Sequence, residues 1–511
     1  MTFPFFKKTY FAGLAALIAS GAAIYCCYFF SAPYQPERVT GGGPLRFNYQ
    51  AEAFEESLKT RMRPDDWEEI SHGSLLGFDW RAAQARTLRA IQAFRSSGAR
   101  NNAYGPFYAD WAERGPGKIP GRVTGSEVLP LQDRIYLLTD GGYLFRGNLS
   151  GSHWECLNDH RPLARGVDAR LEVLALPTGG NRILAGGWDR AHLGGAFLQY
   201  SDDEGQHWHT PSGIADAAWY RRTLAAEDGQ VWHLVRSDVS GSPQMHLYHS
   251  TDYGASFSLL YSHPLTYGHY DRRCDMWKPA DSDTIFSVFE DRVVRISPDG
   301  TATLLGLVSN QPDPEWVILT GGRSHPTAAY TLYVRIWDGA ENGVYRSTDG
   351  GLNWAHWGVL ADGLHSPFSN FAFATNPADP AKVYAGGWIV GVSEDGQTWH
   401  NPHDLGGYVG YHGDVPDIHF VKIPGTDSFE LYIGTDGGYY KYLPQNDQFV
   451  SRTPEHLNNT QIYKMASDHT AEHRMYIGTQ DNGFNFNHYN VSPDSVAPFD
   501  YYWGGDVTQL V

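Results

Sequence analysis

The densest grouping of residues able to do chemistry is His412-Gly413-Asp414-Val415-Pro416-Asp417-Ile418-His419. Imidazoles beside carboxylates can ligate a metal or work as an acid–base pair. On a strand, alternation places Asp417 and His419 on one face. A second set is spread along the chain: Asp140, Asp189, Asp238, Glu290, Asp291, Asp338, Asp436 and Asp481 each follow a strand-like run at a comparable point. Trp188, Trp337 and Trp388 stand beside them. Carboxylates with aromatic platforms suit a sugar, a basic peptide or a divalent cation such as calcium. The bland alternative is that Asp and Gly simply make good turns. Glycoside hydrolysis needs two carboxylates about 5 Å apart for retention, or roughly 6.5–9.5 Å for inversion. The sequence singles out no such pair, so it names no catalytic residue, no metal-ligand set and no cofactor.

The elements that must position these groups are marked by a recurring octapeptide, S-x-D-x-G-x-x-W. Ser347, Asp349, Gly351 and Trp354 fit it, as do Ser201, Asp203, Gly205 and Trp208. Ser250, Asp252, Gly254 and Phe257 fit with Phe for Trp. Ser393 to Trp399, with Asp395, is one residue short, and Gly147 to Trp154 keeps Gly151 and Trp154. Ser and Asp side chains accept backbone N–H bonds in tight turns, glycine takes φ > 0, and the indole packs beside the turn. These residues are therefore read as structural. Strand-like runs begin at Ile135, Ile183, Val231, Ile285, Leu332, Val383, Leu431 and Met475, at steps of 44 to 54 residues. Such a period marks propeller blades of four antiparallel strands. Spacing counts sheets and not ring closure. One eight-bladed ring is the simplest reading, and a seven-bladed ring plus an extra unit is the other.

The octapeptide resembles the Asp-box (BNR) repeat of sialidases, xyloglucanases, sortilin-type receptors and photosystem assembly factors, and that resemblance implies a β-propeller. Trp111-Ala112-Glu113-Arg114-Gly115-Pro116 resembles the opening of bacterial extracellular BNR proteins of the sortilin/xyloglucanase-like kind. So do Asp436-Gly437-Gly438, Gly478-Thr479-Gln480-Asp481-Asn482-Gly483 and Gly504-Gly505-Asp506 at the other end. The resemblance covers roughly residues 105–511. It implies glycosyl-hydrolase-like architecture without an activity. No F-R-x-P segment of sialidases is present. Gly121-Arg122-Val123-Thr124-Gly125 stands where xyloglucanases carry an early catalytic Asp. In a blade, third-to-fourth turns line one face of the disc and second-to-third turns the other. The carboxylate set is thus expected opposite the Asp boxes.

Residues 1–9 read as a cytoplasmic N-terminus, because Lys7 and Lys8 precede Tyr10 to Ala32, 23 residues without a charge. That run is long enough for a transmembrane signal anchor, oriented by the lysines. A cleaved signal peptide or a lipoprotein at Cys26 fits less well. Residues 33–50 read as a linker and 51–117 as a helical segment. Within it Trp80, Ala83, Leu88, Ile91 and Phe94 approximate one helical face. Residues 118–511 form the propeller, which places it outside the cytoplasm, in the periplasm or beyond the cell. The 511 residues carry a net charge of −18, which argues against nucleic acid. The leading expectation is a membrane-tethered module that binds or scaffolds a protein complex or a glycan. The alternative is a glycoside hydrolase using carboxylates opposite the Asp boxes.

Overall fold

The computed structural model describes residues 115–507, except 160–161, 164, 190–194, 216–218, 238–241, 267–272, 310–313, 339–340, 365–371, 405–408, 454–456, 469–473, 488–498 and 504. The expected anchor, linker and helical segment lie outside the described residues. No described helix is long and apolar enough to cross a membrane. The described chain is all β, with one 3-10 turn at Pro130–Gln132.

Eight antiparallel sheets follow one another along the chain, each built from consecutive strands. Their first strands are Val123–Leu129, Arg165–Ala175, Trp219–Ala225, Cys274–Trp277, Trp316–Gly322, Phe373–Asn376, Asp417–Lys422 and Ile462–Ser467. We refer to the sheets as one to eight. Sheets two and six have three strands instead of the expected four. Where a fourth would run there is a single bridge, Tyr200 with His209 and Val392 with His400. Pro211 and Pro402 follow two residues later in each case. Proline cannot donate to a ladder, so the fourth strand stops at one bridge.

The first strands pack side by side in the order one to seven, and sheet seven then packs against sheet one. One apolar cluster joins Val123, Ile135 and Leu137 of sheet one to Tyr432 and Tyr439 of sheet seven. Of the two readings, eight blades or seven with an extra unit, the packing matches the second: seven sheets close, and sheet eight stands outside the ring. The reason is local. Gly434 admits the Val123 carbonyl so closely that a Cβ would sit 2.6 Å from it, and a Cβ on Gly151 would sit 2.0 Å from the Arg452 carbonyl. Sheet eight cannot enter a seam this tight.

Polar groups latch the inner strands as well. Arg170 of sheet two donates to the Thr124 carbonyl of sheet one. Glu172 of sheet two accepts from Ala225 N of sheet three at 3.2 Å. Asp275 of sheet four pairs with Arg222 of sheet three at 3.0 Å and accepts from Leu319 N of sheet five at 2.9 Å. Thr320 of sheet five accepts from Thr375 N of sheet six at 3.2 Å. At the closing seam Ser126 Oγ lies 3.3 Å from His419 Nε2. Aliphatic faces hold the blades, and charged or hydroxyl side chains hold the wall of the channel.

Candidate functional site

The octapeptide turns follow the third strand of their sheets, leading to a fourth strand or, in sheets two and six, to a single bridge, and their geometry repeats. Ser347 Oγ donates to Asp349 Oδ1 at 2.7 Å and accepts from Gly351 N at 2.9 Å. Asp349 Oδ1 accepts from Asn353 N at 3.0 Å, and Trp354 Nε1 donates to the Gly351 carbonyl at 3.0 Å. Ser201–Asp203, Ser250–Asp252 and Ser393–Asp395 repeat the hydroxyl-to-carboxylate bond at 2.9, 2.7 and 3.2 Å. These carboxylates are spent within their own turns.

On the opposite face the second-to-third turns behave differently from one another. Asp338 accepts from Glu341 N of its own turn at 2.8 Å. Trp337 Nε1 donates to Glu315 at 3.1 Å. Glu290 accepts from Thr266 N at 2.9 Å, and Asp291 lies 3.8 Å from Arg292. Trp388 is half-buried against the core of sheets five to seven. The side chains of Trp188 and Asp189, and all of Asp238, lie outside the described residues.

At the seam, three of the predicted carboxylates converge. Asp414, Asp436 and Asp481 bring oxygens within 4.8 Å of one another, the one such group among the described residues. Asp436 and Asp481 come from second-to-third turns of sheets seven and eight, and Asp414 from the segment entering sheet seven. All three are buried. Asp414 and Asp481 hold φ of 51° and 55°, a left-handed conformation that Asp tolerates better than most residues. Like charges this close repel by roughly 3.5 kcal/mol per pair at an effective dielectric of 20.

Arg122 offsets that repulsion. It precedes the first strand of sheet one, and its Nε donates to Asp436 Oδ1 at 2.5 Å while Nη2 donates to Asp436 Oδ2. Asp481 lies 3.6 Å and Asp140 4.0 Å from the same guanidinium. Burial works against the charge of Arg122, but Asp436, Asp140 and Asp481 together hold its pKa well above the ordinary value. His412 completes the joint, with Nε2 3.3 Å from the Asp481 carbonyl oxygen and Nδ1 3.0 Å from that of Gly413. Burial lowers its pKa, so it stays neutral at pH 7. Three carboxylates suit a hard cation by donor type. Here, however, both oxygens of Asp436 are taken by Arg122, so the joint supplies its own counter-charge.

The His412–His419 motif is thus divided. His412 and Asp414 join the seam on the face, while Asp417 and His419 enter the channel. His419 Nδ1 lies 3.1 Å from Asp417 Oδ2, and Tyr439 Oη lies 3.0 Å from Nε2. Sequence reasoning missed the groups around them. Burial, helped by Asp417 and opposed by the Ala225 N–H and Arg222, pushes Glu172 up to about 8. Burial also raises Glu127, with Glu172 and Asp417 adding to it. Burial pushes Asp417 up too, but His419, Arg170 and Arg222 bring it below the ordinary range. The overlooked signal was a charge inside an otherwise apolar first strand: Glu127, Arg170, Glu172, Arg222 and Asp275.

No protein-family model matches the chain, and no curated protein matches it. Solved structures with a similar fold include an ancestral GH74 enzyme, at TM-score 0.51 and 14% identity over 74% of this chain and 54% of that one. They also include the GH74 enzyme of Niastella koreensis, at 0.48 and 14% over 75% and 61%. YCF48 from Cyanidioschyzon merolae is similar at 0.42 and 14%, over 64% of this chain and 97% of its own. The chain spans 54% and 61% of the lengths of the two GH74 enzymes. At such identity the likeness shows a β-propeller fold and says nothing of chemistry.

Proposed function

We propose that this chain is a binding propeller, tethered through residues 10–32 with its ring outside the cytoplasm, that takes a protein partner on the second-to-third-turn face. One observation carries this reading: the convergent carboxylates Asp414, Asp436 and Asp481 are buried, and Arg122 pairs with Asp436 and lies 3.6 Å from Asp481. The seam therefore spends its charge on closure. Recognition is assigned to the second-to-third turns of sheets five and six, where half-buried Trp337 and Trp388 lie with Asp338 and Glu341, although Trp337 also bonds Glu315 and Asp338 its own turn. Indoles with adjacent carboxylates suit a basic, partly apolar surface. The test is purification of the detergent-solubilised full chain with its stoichiometric partner, followed by Trp337→Ala with Asp338→Ala. Loss of the partner with an unchanged melting temperature is expected. Retention of the partner, or release of reducing ends from a polysaccharide panel, would sink this reading.

A second reading, glycoside hydrolysis, is favoured by one specific observation. Neighbouring carboxyls with pKa values pushed apart are the mark of an acid and its ionised companion, and Glu172 and Asp417 are such a pair. Reducing-end release abolished by Glu172→Gln would support it.

A further inference from the structure

Two glutamates in the channel wall carry fewer bonds than their neighbours. Glu127 lies on Val123–Leu129 between buried Ser126 and Val128, and is itself only half-buried. Among the described residues no hydrogen bond or ion pair reaches its carboxyl. Glu172 of sheet two is half-buried as well and accepts one bond, from Ala225 N at 3.2 Å. Asp275 in the same wall is different. It is fully buried, and it takes Arg222 at 3.0 Å and Leu319 N at 2.9 Å.

Glu127, Glu172 and Asp417 act on one another. Burial, then Glu172 and Asp417, hold the Glu127 carboxyl well above the ordinary range. The positive groups nearby have other bonds. Arg222 pairs with Asp275, and Arg170 donates to the carbonyls of Thr124 and Ala169. Asp417 has His419 Nδ1 at 3.1 Å. The excess in this part of the wall is acceptors, and no donor of the wall reaches Glu127.

A buried phenol gives a second, separate sign. Tyr220 of sheet three is 2% exposed, and its Oη has no hydrogen-bond partner. Its ring lies against Gly186, the strand partner of Arg170, where a Cβ would sit 2.3 Å from the ring. The charges of Arg170, Glu172 and Arg222 act on the phenol. Thr223 Oγ1, on the same strand, is engaged by His233 Nδ1 at 3.0 Å. A buried hydroxyl left unbonded is unfavourable, and a donor entering the channel relieves it.

Spacing decides what kind of cation fits. Asp414, Asp436 and Asp481 are the one group among the described residues whose oxygens converge within 4.8 Å. Glu127, Glu172 and Asp417 stand further apart than that. A bare metal ion could not be ligated by all three, whereas an ammonium or guanidinium presents several N–H donors in different directions.

We propose that the channel at sheets one, two, three and seven binds a small organic cation, an amine or a guanidine, with Glu127 and Glu172 as its main acceptors and the Tyr220 oxygen as a third. Asp417 adds its charge from sheet seven. The site lies inside the ring and not on the partner face, so it stands or falls apart from the partner reading. The cation favours the ionised form of both glutamates, and its binding therefore releases protons.

The test is isothermal titration of the full chain in detergent micelles at pH 7 with putrescine, spermidine and methylguanidine. Each is run in two amine-free buffers of different ionisation heat. One-to-one binding of at least one of the three is expected, with heats that differ between the buffers. Glu127→Gln keeps the size of the side chain and should leave the melting temperature no lower. It should weaken binding at least about tenfold and reduce the proton release. Should that variant fail to fold, Glu172→Gln is read in the same way. No saturable binding of any of the three, or equal affinity in the folded variant, overturns the proposal. Binding of calcium or glucose that Glu127→Gln abolishes would assign the site to a metal or a sugar and overturn it too.

Discussion

At the scale of residues, the seam rests on Arg122 and Asp436. Removing one partner of a buried ion pair leaves a charge without compensation, at a cost of about 3–5 kcal/mol. Asp436→Asn is expected near the lower figure, because Asp481 and Asp140 remain close to Arg122. Asp414→Asn should cost less, since it also removes a repelling neighbour. Chemical denaturation of the two variants checks the order, and a larger loss from Asp414→Asn would contradict the assigned pairing. Glu172 gives a pH signature. Its folded pKa of about 8 lies above an unfolded value of about 4.3. Its contribution to stability is therefore full below about 4.3 and is lost as pH rises through 8. Glu172→Gln should flatten the stability profile between those limits, and an unchanged slope would place the effect elsewhere. The sequence offered Asp414, Asp436 and Asp481 as candidates, but their burial and their counter-ion were not legible. Arg122 looks like any basic residue ahead of a strand until a distant turn closes on it.

At the scale of elements, the octapeptide turns were fully legible, because every partner lies within eight residues. Hydrogen bonds from the backbone and side chain of Asn353, then from Ser347, hold Asp349 down to about 2. Its unfolded value is about 3.9. The turn's contribution is present above that value and is lost as pH falls through 2. Asp349→Asn should cost up to about 1 kcal/mol, the worth of hydrogen bonds in an exposed turn. Acid titration of stability in this variant should lack the component between pH 4 and 2. The three-stranded sheets were less legible. Pro211 and Pro402 are plain in the sequence, but loops and truncated fourth strands contain proline alike.

At the scale of the whole molecule, the near-constant period gave the number of sheets but not the number of blades. Periodicity reports how each sheet is built from its own strands. Closure depends on pairs such as Arg122 with Asp436, 314 residues apart. Gly434 should be a sensitive backbone position at the seam, and one without the positive φ that Gly151 adds to its own closer contact. A Cβ there meets the Val123 carbonyl, which backbone packing holds in place. Gly434→Ala is expected to destabilise by about 2 kcal/mol, in the range of overpacked cores. Gly425→Ala, in open space at φ 74°, provides a comparison with backbone strain alone. Equal losses in thermal unfolding would remove the tight seam from the explanation.

Each sheet is made of consecutive strands, so no sheet is shared between the beginning and the end of the ring. Biosynthesis then has a fixed order. Sheet one emerges first with its outward face uncovered, and its cover is the last blade of the ring to be made. At roughly 5 to 20 residues per second, the 314 residues from Arg122 to Asp436 take about 15 to 60 s. For that interval Val123, Ile135 and Leu137 are exposed to whatever meets the nascent chain. Arg122 stays hydrated until Asp436 arrives, so burial of its charge is the final step of ring assembly and not the first.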